Sequence, residues 1–112
     1  MKNKKENYIE KVPVINQNIG WSKDENGAVT LEIENKGVFN RIAQKLFRKP
    51  KISYIHLEEM GSFVWPLIDG KNDIFELGRK AKEHFGEKAE PLYPRLVKYF
   101  EILESYKFIT FK

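Results

Sequence analysis

The residues able to do chemistry are few and scattered in this chain of 112 residues. Histidine is the side chain that most readily changes charge near neutral pH, but His56 and His84 lie in different predicted elements and match no metal-ligand spacing. Ser53 and Ser62 have no base close to them in the sequence. Cysteine is absent, which excludes thiol nucleophiles, disulfides and thiolate metal ligands. We therefore expect a protein that is not an enzyme and that needs no metal or cofactor.

The acidic, glycine and tryptophan residues also have ordinary structural explanations. Glu58 and Glu59 begin a predicted helix, where carboxylates interact favourably with the helix dipole. The glycines are spread over turns and helices, so they do not form a loop that could hold phosphate. We expect Trp21 and Trp65 to pack in the core or at its rim.

The positive charge is concentrated in one segment. The formal net charge is +4, with eleven Lys/Arg and six Asp/Glu in residues 1–51 but nine and ten in residues 52–112. The segment 36–51, KGVFNRIAQKLFRKPK, has six basic residues and no acidic one. The start of the chain lacks the apolar run of a signal peptide, and no segment has the roughly 20 apolar residues that span a bilayer. We therefore expect a soluble, cytoplasmic protein.

These residues must be positioned by strands, which the pattern of apolar residues predicts. The arm 1–18 is predicted to be irregular or extended, and Pro13 argues against a central strand there. Asn26-Gly27 suits a tight turn, and the alternating apolar residues of 29–33 predict a hairpin around it. The stretch 51–57, KISYIHL, predicts a third strand.

Four further stretches have the composition or apolar spacing of helices, and the chain then ends in a strand or extended tail: 36–50, 58–68, 73–86, 91–106 and the tail 108–111. Asp73 and Glu76 form a capping-box pattern, and Gly86 suits the end of that helix. The last helix begins at Pro91 or Pro94, of which Pro94 fits best at the first helical position.

The order of elements predicts a single α+β domain over residues 1–112. A small antiparallel sheet of three strands is followed by a three-helix bundle, and an extra basic amphipathic helix, 36–50, is inserted between the second and third strands. The last two helices form a helix-turn-helix, which in many regulators reads DNA. A reading helix should present Arg, Lys, Asn or Gln in its first turns, whereas this one presents Glu90, two prolines and Arg95. DNA binding is therefore the weaker alternative.

The block IHLEEMGSFVWPLIDGKNDIFELGRKAKEHFG resembles the PqqD family of pyrroloquinoline quinone (PQQ) biosynthesis. The resemblance depends on the apolar positions of two helices and on the turn between them: Leu57, Gly61, Val64, Trp65, Leu67, Ile68, Asp69, Gly70, Ile74, Leu77 and Phe85. The stretch LYPRLVKYFEILESYKFI is similar to the final helix of the family. The resemblance covers residues 19–111 and is strongest over 52–111.

The resemblance implies a winged-helix-like domain that does not bind DNA. It implies a RiPP recognition element, a module that captures the leader of a ribosomally made precursor peptide and presents it to a modifying enzyme such as a radical SAM protein. The leader would add as a strand to the sheet edge and lie against the last helix. The implied peptide-binding residues are Lys51, Ile52, Ser53, Tyr54, Ile55, His56, Arg95, Leu96, Lys98, Tyr99 and Ile102.

An exposed strand edge offers main-chain N–H and C=O groups to an extended peptide of almost any sequence. If the N–H of Ser53 points outward, Ser53→Pro is expected to weaken peptide capture. The same edge could pair with a second copy of the chain to form a homodimer.

The basic helix 36–50 has three interpretations. It packs its apolar face on the domain; or it attracts an acidic leader or partner enzyme through Arg41, Lys45, Arg48 and Lys49; or it lies on a membrane surface. A scaffold or membrane-surface protein is therefore a second alternative, which binding to anionic vesicles would favour.

Overall fold

A computed structural model describes residues 8–34 and 52–112. The predicted basic helix, with Arg41, Lys45, Arg48 and Lys49, lies outside the described residues, and so does Lys51. In chain order, the described strands and helices are β1 Pro13–Ile15, β2 Gly20–Lys23, β3 Val29–Glu34, β4 Ile52–His56, α1 Glu59–Val64, α2 Ile74–Phe85, α3 Leu92–Ser105 and β5 Ile109–Phe111. The structure is thus α+β, with three α-helices in its described part.

The described strands form two antiparallel sheets, whereas the sequence predicted one sheet of three strands. One sheet has the order β2-β3-β4, and the other pairs β1 with β5, placing Val14 opposite Thr110. Both β1 and β5 fall in segments that were predicted to be extended, but their pairing was missed. No turn connects them, since they lie near opposite ends of the chain. Pro13 is the first residue of β1, a position at which a strand tolerates proline.

β3 shares its main-chain groups between two neighbours. The N–H of Asp24 donates to the carbonyl of Ala28 (3.0 Å), and the N–H of Leu57 donates to the carbonyl of Val29 (2.9 Å). With the register of both pairs, these bonds assign the even-numbered residues of β3 to β2 and the odd-numbered ones to β4, because bonding alternates along an antiparallel strand.

The same alternation fixes β4. Its odd-numbered residues, Ser53 and Ile55, direct their main-chain groups towards β3. Its even-numbered residues, Ile52, Tyr54 and His56, direct theirs to the opposite side. The prediction that Ser53→Pro weakens peptide capture required an outward N–H at Ser53. Because this N–H points into the sheet, that prediction does not apply.

α2 begins and ends close to where the sequence predicted, whereas α1 begins as predicted but ends at Val64, before the predicted end at residue 68. Pro66 lies in a 3₁₀ turn, Trp65–Leu67, that follows α1. At the start of α2, the side chain of Asp73 accepts a hydrogen bond of 2.8 Å from the N–H of Glu76. Gly86, with φ 62°, ends that helix, in a conformation that glycine adopts at little cost.

α3 begins before Pro94. The prediction that Pro94 is the first helical residue is therefore wrong. Leu92 is the first helical residue and Pro91 precedes it as the N-cap. Pro94 is tolerated in the first turn because the first N–H groups of a helix have no intrahelical partner. The N–H of Arg95 bonds to the carbonyl of Pro91 at 3.3 Å.

One core joins the three-stranded sheet to the helices. Fully buried side chains come from every layer, including Leu31 of β3, Leu77 of α2 and Phe100 of α3. Trp65 is also fully buried, whereas Trp21 is 40% exposed, so one tryptophan belongs to the core and the other to its rim. No helix in the described part of the chain has the length and apolar character needed to cross a membrane.

Two close contacts fix α1 between the sheet and α3. The Ser62 hydroxyl accepts a hydrogen bond from the N–H of Val29 (2.9 Å) and donates one to the carbonyl of Leu57 (3.1 Å). The Tyr99 hydroxyl donates to the carbonyl of Gly61 (3.0 Å). A Cβ at Gly61 would lie 2.8 Å from the Tyr99 ring, so the two helices approach as closely as only glycine allows.

Candidate functional site

The outer edge of β4 is the candidate functional site. In the described part of the chain, β4 is the last strand of its sheet and is paired on one side only, with β3. Ile52, Tyr54 and His56 direct their main-chain N–H and C=O groups away from β3. An extended peptide pairs with an edge of this kind through alternate residues.

The side chains of β4 make its surface partly apolar. Tyr54 is 60% exposed, and Ile52 and Ile55 are each 36% exposed. Ile52 and Tyr54 lie on the face of the sheet that carries Glu32 and Glu34, whereas Ile55 lies on the face of the buried Leu31. A peptide on this edge would therefore find apolar contacts on both faces of β4.

Both histidines make contacts within the fold. The Nδ1 atom of His56 lies 2.9 Å from the hydroxyl of Thr30 on the neighbouring strand. The His84 ring stacks on Phe63, with centroids 4.3 Å apart. Among residues 8–34 and 52–112, no three His, Asp or Glu side chains are grouped in a way that could hold a metal ion.

The predicted residues of α3 separate into buried and exposed groups. Leu96 is fully buried and therefore cannot form part of an accessible wall. Tyr99 packs against α1, and burial raises the pKa of its phenol above the ordinary value. The Arg95 guanidinium donates to the carbonyls of Lys88 (3.0 Å) and Ala89 (3.1 Å). Lys98 and Ile102 are exposed.

Tyr106, the C-cap residue directly after α3, continues the exposed side of that helix and was not among the predicted site residues. It is 66% exposed and stacks on Phe108, and its N–H bonds to the carbonyl of Ile102. The signal was present in the sequence, because Lys98, Ile102 and Tyr106 follow one another at steps of four, which places them on one side of a helix. We call these three residues the α3 stripe.

The acidic residues of α3 lie to one side of the α3 stripe. Burial, and then the charges of Glu104 and Glu101, raise the pKa of the Tyr8 phenol. Both carboxylates therefore lie near Tyr8 in the N-terminal arm. Lys98 is the basic residue of the stripe itself.

α1 connects the β4 edge to α3. It begins at Glu59, shortly after β4 ends at His56, and Tyr99 of α3 binds its Gly61. The edge and the last helix are therefore held to the same short helix.

The sequence matches a known family. The family model described as coenzyme PQQ synthesis protein D (PqqD) matches residues 28–109. The chain belongs to the PqqD family. The match begins just before β3 and ends at Ile109, so it includes the β4 edge and the α3 stripe. No curated protein and no solved structure was matched.

Membership of the PqqD family connects the chain to coenzyme PQQ synthesis. The matched family is the one that the sequence block around the Asp69-Gly70 turn resembles. β1 and β2 lie before the matched residues.

Proposed function

We propose that this PqqD-family chain is a non-enzymatic peptide-binding module. It captures the leader of a ribosomally made precursor peptide by strand addition to β4 and presents that peptide to a separate modifying enzyme, such as a radical SAM protein. The observation that carries the proposal is the one-sided pairing of β4 in the described structure, with Ile52, Tyr54 and His56 facing outward.

The main chain of β4 provides part of the binding energy. Three outward residues offer up to about six hydrogen bonds, and each contributes about 1 kcal/mol net. Micromolar affinity requires about 8 kcal/mol, after the peptide has been ordered. The remaining free energy must come from side chains.

The side chains that suit this purpose lie beside the edge and on α3. Ile52, Tyr54 and Ile55 offer apolar surface next to the peptide main chain. Ile102 and Tyr106 of the α3 stripe are 46% and 66% exposed, and fully burying a side chain of this size contributes about 1.5–3 kcal/mol. Lys98 would favour an acidic leader.

The DNA-binding alternative receives less support. The first turn of α3 contains Pro94 and Arg95, and the Arg95 guanidinium already binds two carbonyls of the preceding turn. A base edge would have to compete for the one cationic donor in that turn.

A titration followed by nuclear magnetic resonance tests the proposal. The probe is the synthetic leader of a short precursor encoded beside the gene for this chain, and the control is a peptide of the same composition in scrambled order. We expect the amides of residues 52–56 and 98–106 to shift with the true leader. Shifts confined to other residues, or equal shifts with the scrambled peptide, would contradict the assignment. If the protein instead becomes dimeric as its concentration rises, and the same amides shift without peptide, the edge serves self-association.

A further inference from the structure

A second concave surface lies at the turn end of the three-stranded sheet. This surface, which we call the hairpin cleft, has a volume of about 800 Å³ and lies between the β2–β3 turn and the ends of α1 and α2. Its lining includes Lys23, Gly27, Phe63, Leu67, His84 and Lys88. None of its lining residues belongs to β4 or to α3, so it is distinct from the edge described above.

Hydrogen bonds hold the turn side of the hairpin cleft in place. The Asp24 carboxylate accepts hydrogen bonds from the N–H groups of Asn26 and Ala28, both at 2.9 Å. Gly27 has φ 88°, which lets the turn close without strain. Ser62, on the cleft wall, joins α1 to the sheet. The cleft is therefore pre-formed, which lowers the entropic cost of binding.

The opposite wall of the hairpin cleft is aromatic. Phe63 stacks on His84, with 15° between the rings, and meets the edge of Phe85 at a centroid distance of 5.4 Å. Leu67 adds aliphatic surface to the lining. This wall suits an aromatic or large aliphatic side chain, since rings pack well in offset and edge-on arrangements.

The charge at the hairpin cleft is mainly positive. Lys23 and Lys88 line it and are exposed, and Glu59 is the carboxylate among the lining residues. The main chain of Lys88 is held by Arg95, through the Lys88 carbonyl. A ligand with a carboxylate beside its apolar group would therefore find a partner of opposite charge next to the aromatic wall.

We infer that the hairpin cleft binds a segment of a partner protein in which a large apolar side chain lies beside a carboxylate. Its volume is within the range of about 300–1,000 Å³ typical of ligand pockets. The inference does not depend on peptide capture at β4, because the two sites share no residue. A chain that uses both would hold two polypeptides at once.

The test uses a short peptide and two matched controls on the full chain. The probe is acetyl-Phe-Glu-Gly-amide; one control replaces Glu by Gln and the other replaces Phe by Ala. We expect the probe to shift the amides of Phe63, His84 and Phe85 at millimolar concentration, and both controls to bind more weakly. Shifts elsewhere, no shift at all, or equal binding of the Gln control would overturn the inference.

Substitution of the two lysines checks the charge argument. Lys23→Gln with Lys88→Gln should weaken binding of the probe by up to about fivefold for each lysine, the usual limit for exposed ion pairs. Lys112→Gln, which removes an exposed charge outside the cleft lining, should leave it unchanged. Equal losses in both variants would contradict a local role for the lysines. If probe binding fails while the leader still shifts residues 52–56, the inference falls and the proposed function stands.

Discussion

Ser62 shows how much one hydroxyl can contribute to the junction of sheet and helix. Its oxygen satisfies the N–H of Val29 and its hydrogen satisfies the carbonyl of Leu57, and the residue is 4% exposed. In the sequence, Ser62 stands out only as a possible nucleophile that has no base near it. Its real partners are 33 and 5 residues away, which no local pattern reveals.

Ser62→Ala is therefore expected to destabilise the fold. The N–H of Val29 would lose its buried partner, at a cost of about 1–3 kcal/mol. Denaturant unfolding measures the change. Ser22→Ala, at an exposed position of β2, is the control and should stay within about 0.5 kcal/mol of the parent. Equal changes in the two variants would mean that the Ser62 bonds contribute little.

Tyr99 should make the free energy of unfolding depend on pH in the alkaline range. Burial raises the pKa of its phenol in the folded chain above the ordinary value of 10.0. Above pH 10 the unfolded chain therefore ionises first, so the free energy of unfolding should fall as the pH rises. Tyr99→Phe should be less stable at neutral pH, because the bond to Gly61 is lost, but should show a smaller alkaline decline. Parallel declines in the two proteins would contradict this assignment.

Among the elements, those set by local signals were predicted well. The hairpin follows from Asn26-Gly27, and the limits of α2 follow from Asp73 and Gly86, since each signal acts within a few residues. The start of α3 was placed less well, because the rule for proline at the first helical position does not exclude the rest of the first turn. Which main-chain groups of a strand face outward depends on the register of the sheet, and the register cannot be read from the sequence.

That register determines which substitution in β4 tests peptide capture. Tyr54→Pro removes an outward N–H and leaves the bonds to β3 intact, a position at which an edge strand tolerates proline. We expect it to weaken leader binding by more than about fivefold, since one hydrogen bond of about 1 kcal/mol is lost together with the contacts of the Tyr54 ring. Tyr54→Thr, which loses the ring but keeps the N–H, separates the two contributions in the same binding titration.

Ser53→Pro is the matched control for the neighbouring position. Its N–H faces β3, so this variant should lose stability in denaturant unfolding. If Ser53→Pro remains as stable as the parent while Tyr54→Pro unfolds, the alternation of β4 is the reverse of the one described.

At the scale of the whole molecule, the small sheet brings together two segments that are far apart in the sequence. Val14 pairs with Thr110 across the small sheet, and the carbonyl of Phe108 accepts the N–H of Asn16. The sequence predicted two extended segments but not their pairing, because a strand of three residues carries no information about its partner. The distribution of charge, by contrast, can be read from the sequence directly.

That distribution leads to a prediction about the rate of peptide capture. Segment 36–51 has six basic residues and no acidic one, so its field should speed the approach of an acidic leader. Lys45→Glu with Arg48→Glu lowers the net charge by four, from +4 to 0. At low ionic strength we expect association, measured by stopped-flow fluorescence with a labelled leader, to slow by roughly tenfold and to depend less on salt.

A variant of equal net charge shows whether position or total charge matters. Lys71→Glu with Lys112→Glu also brings the net charge from +4 to 0, but at exposed positions outside the basic segment. If position matters, this variant should associate faster than the first and keep more of the salt dependence, because each charge is screened within about 10 Å at 0.1 M salt. Equal slowing of both would assign the effect to net charge alone, and unchanged rates in the first variant would remove the basic segment from the capture step.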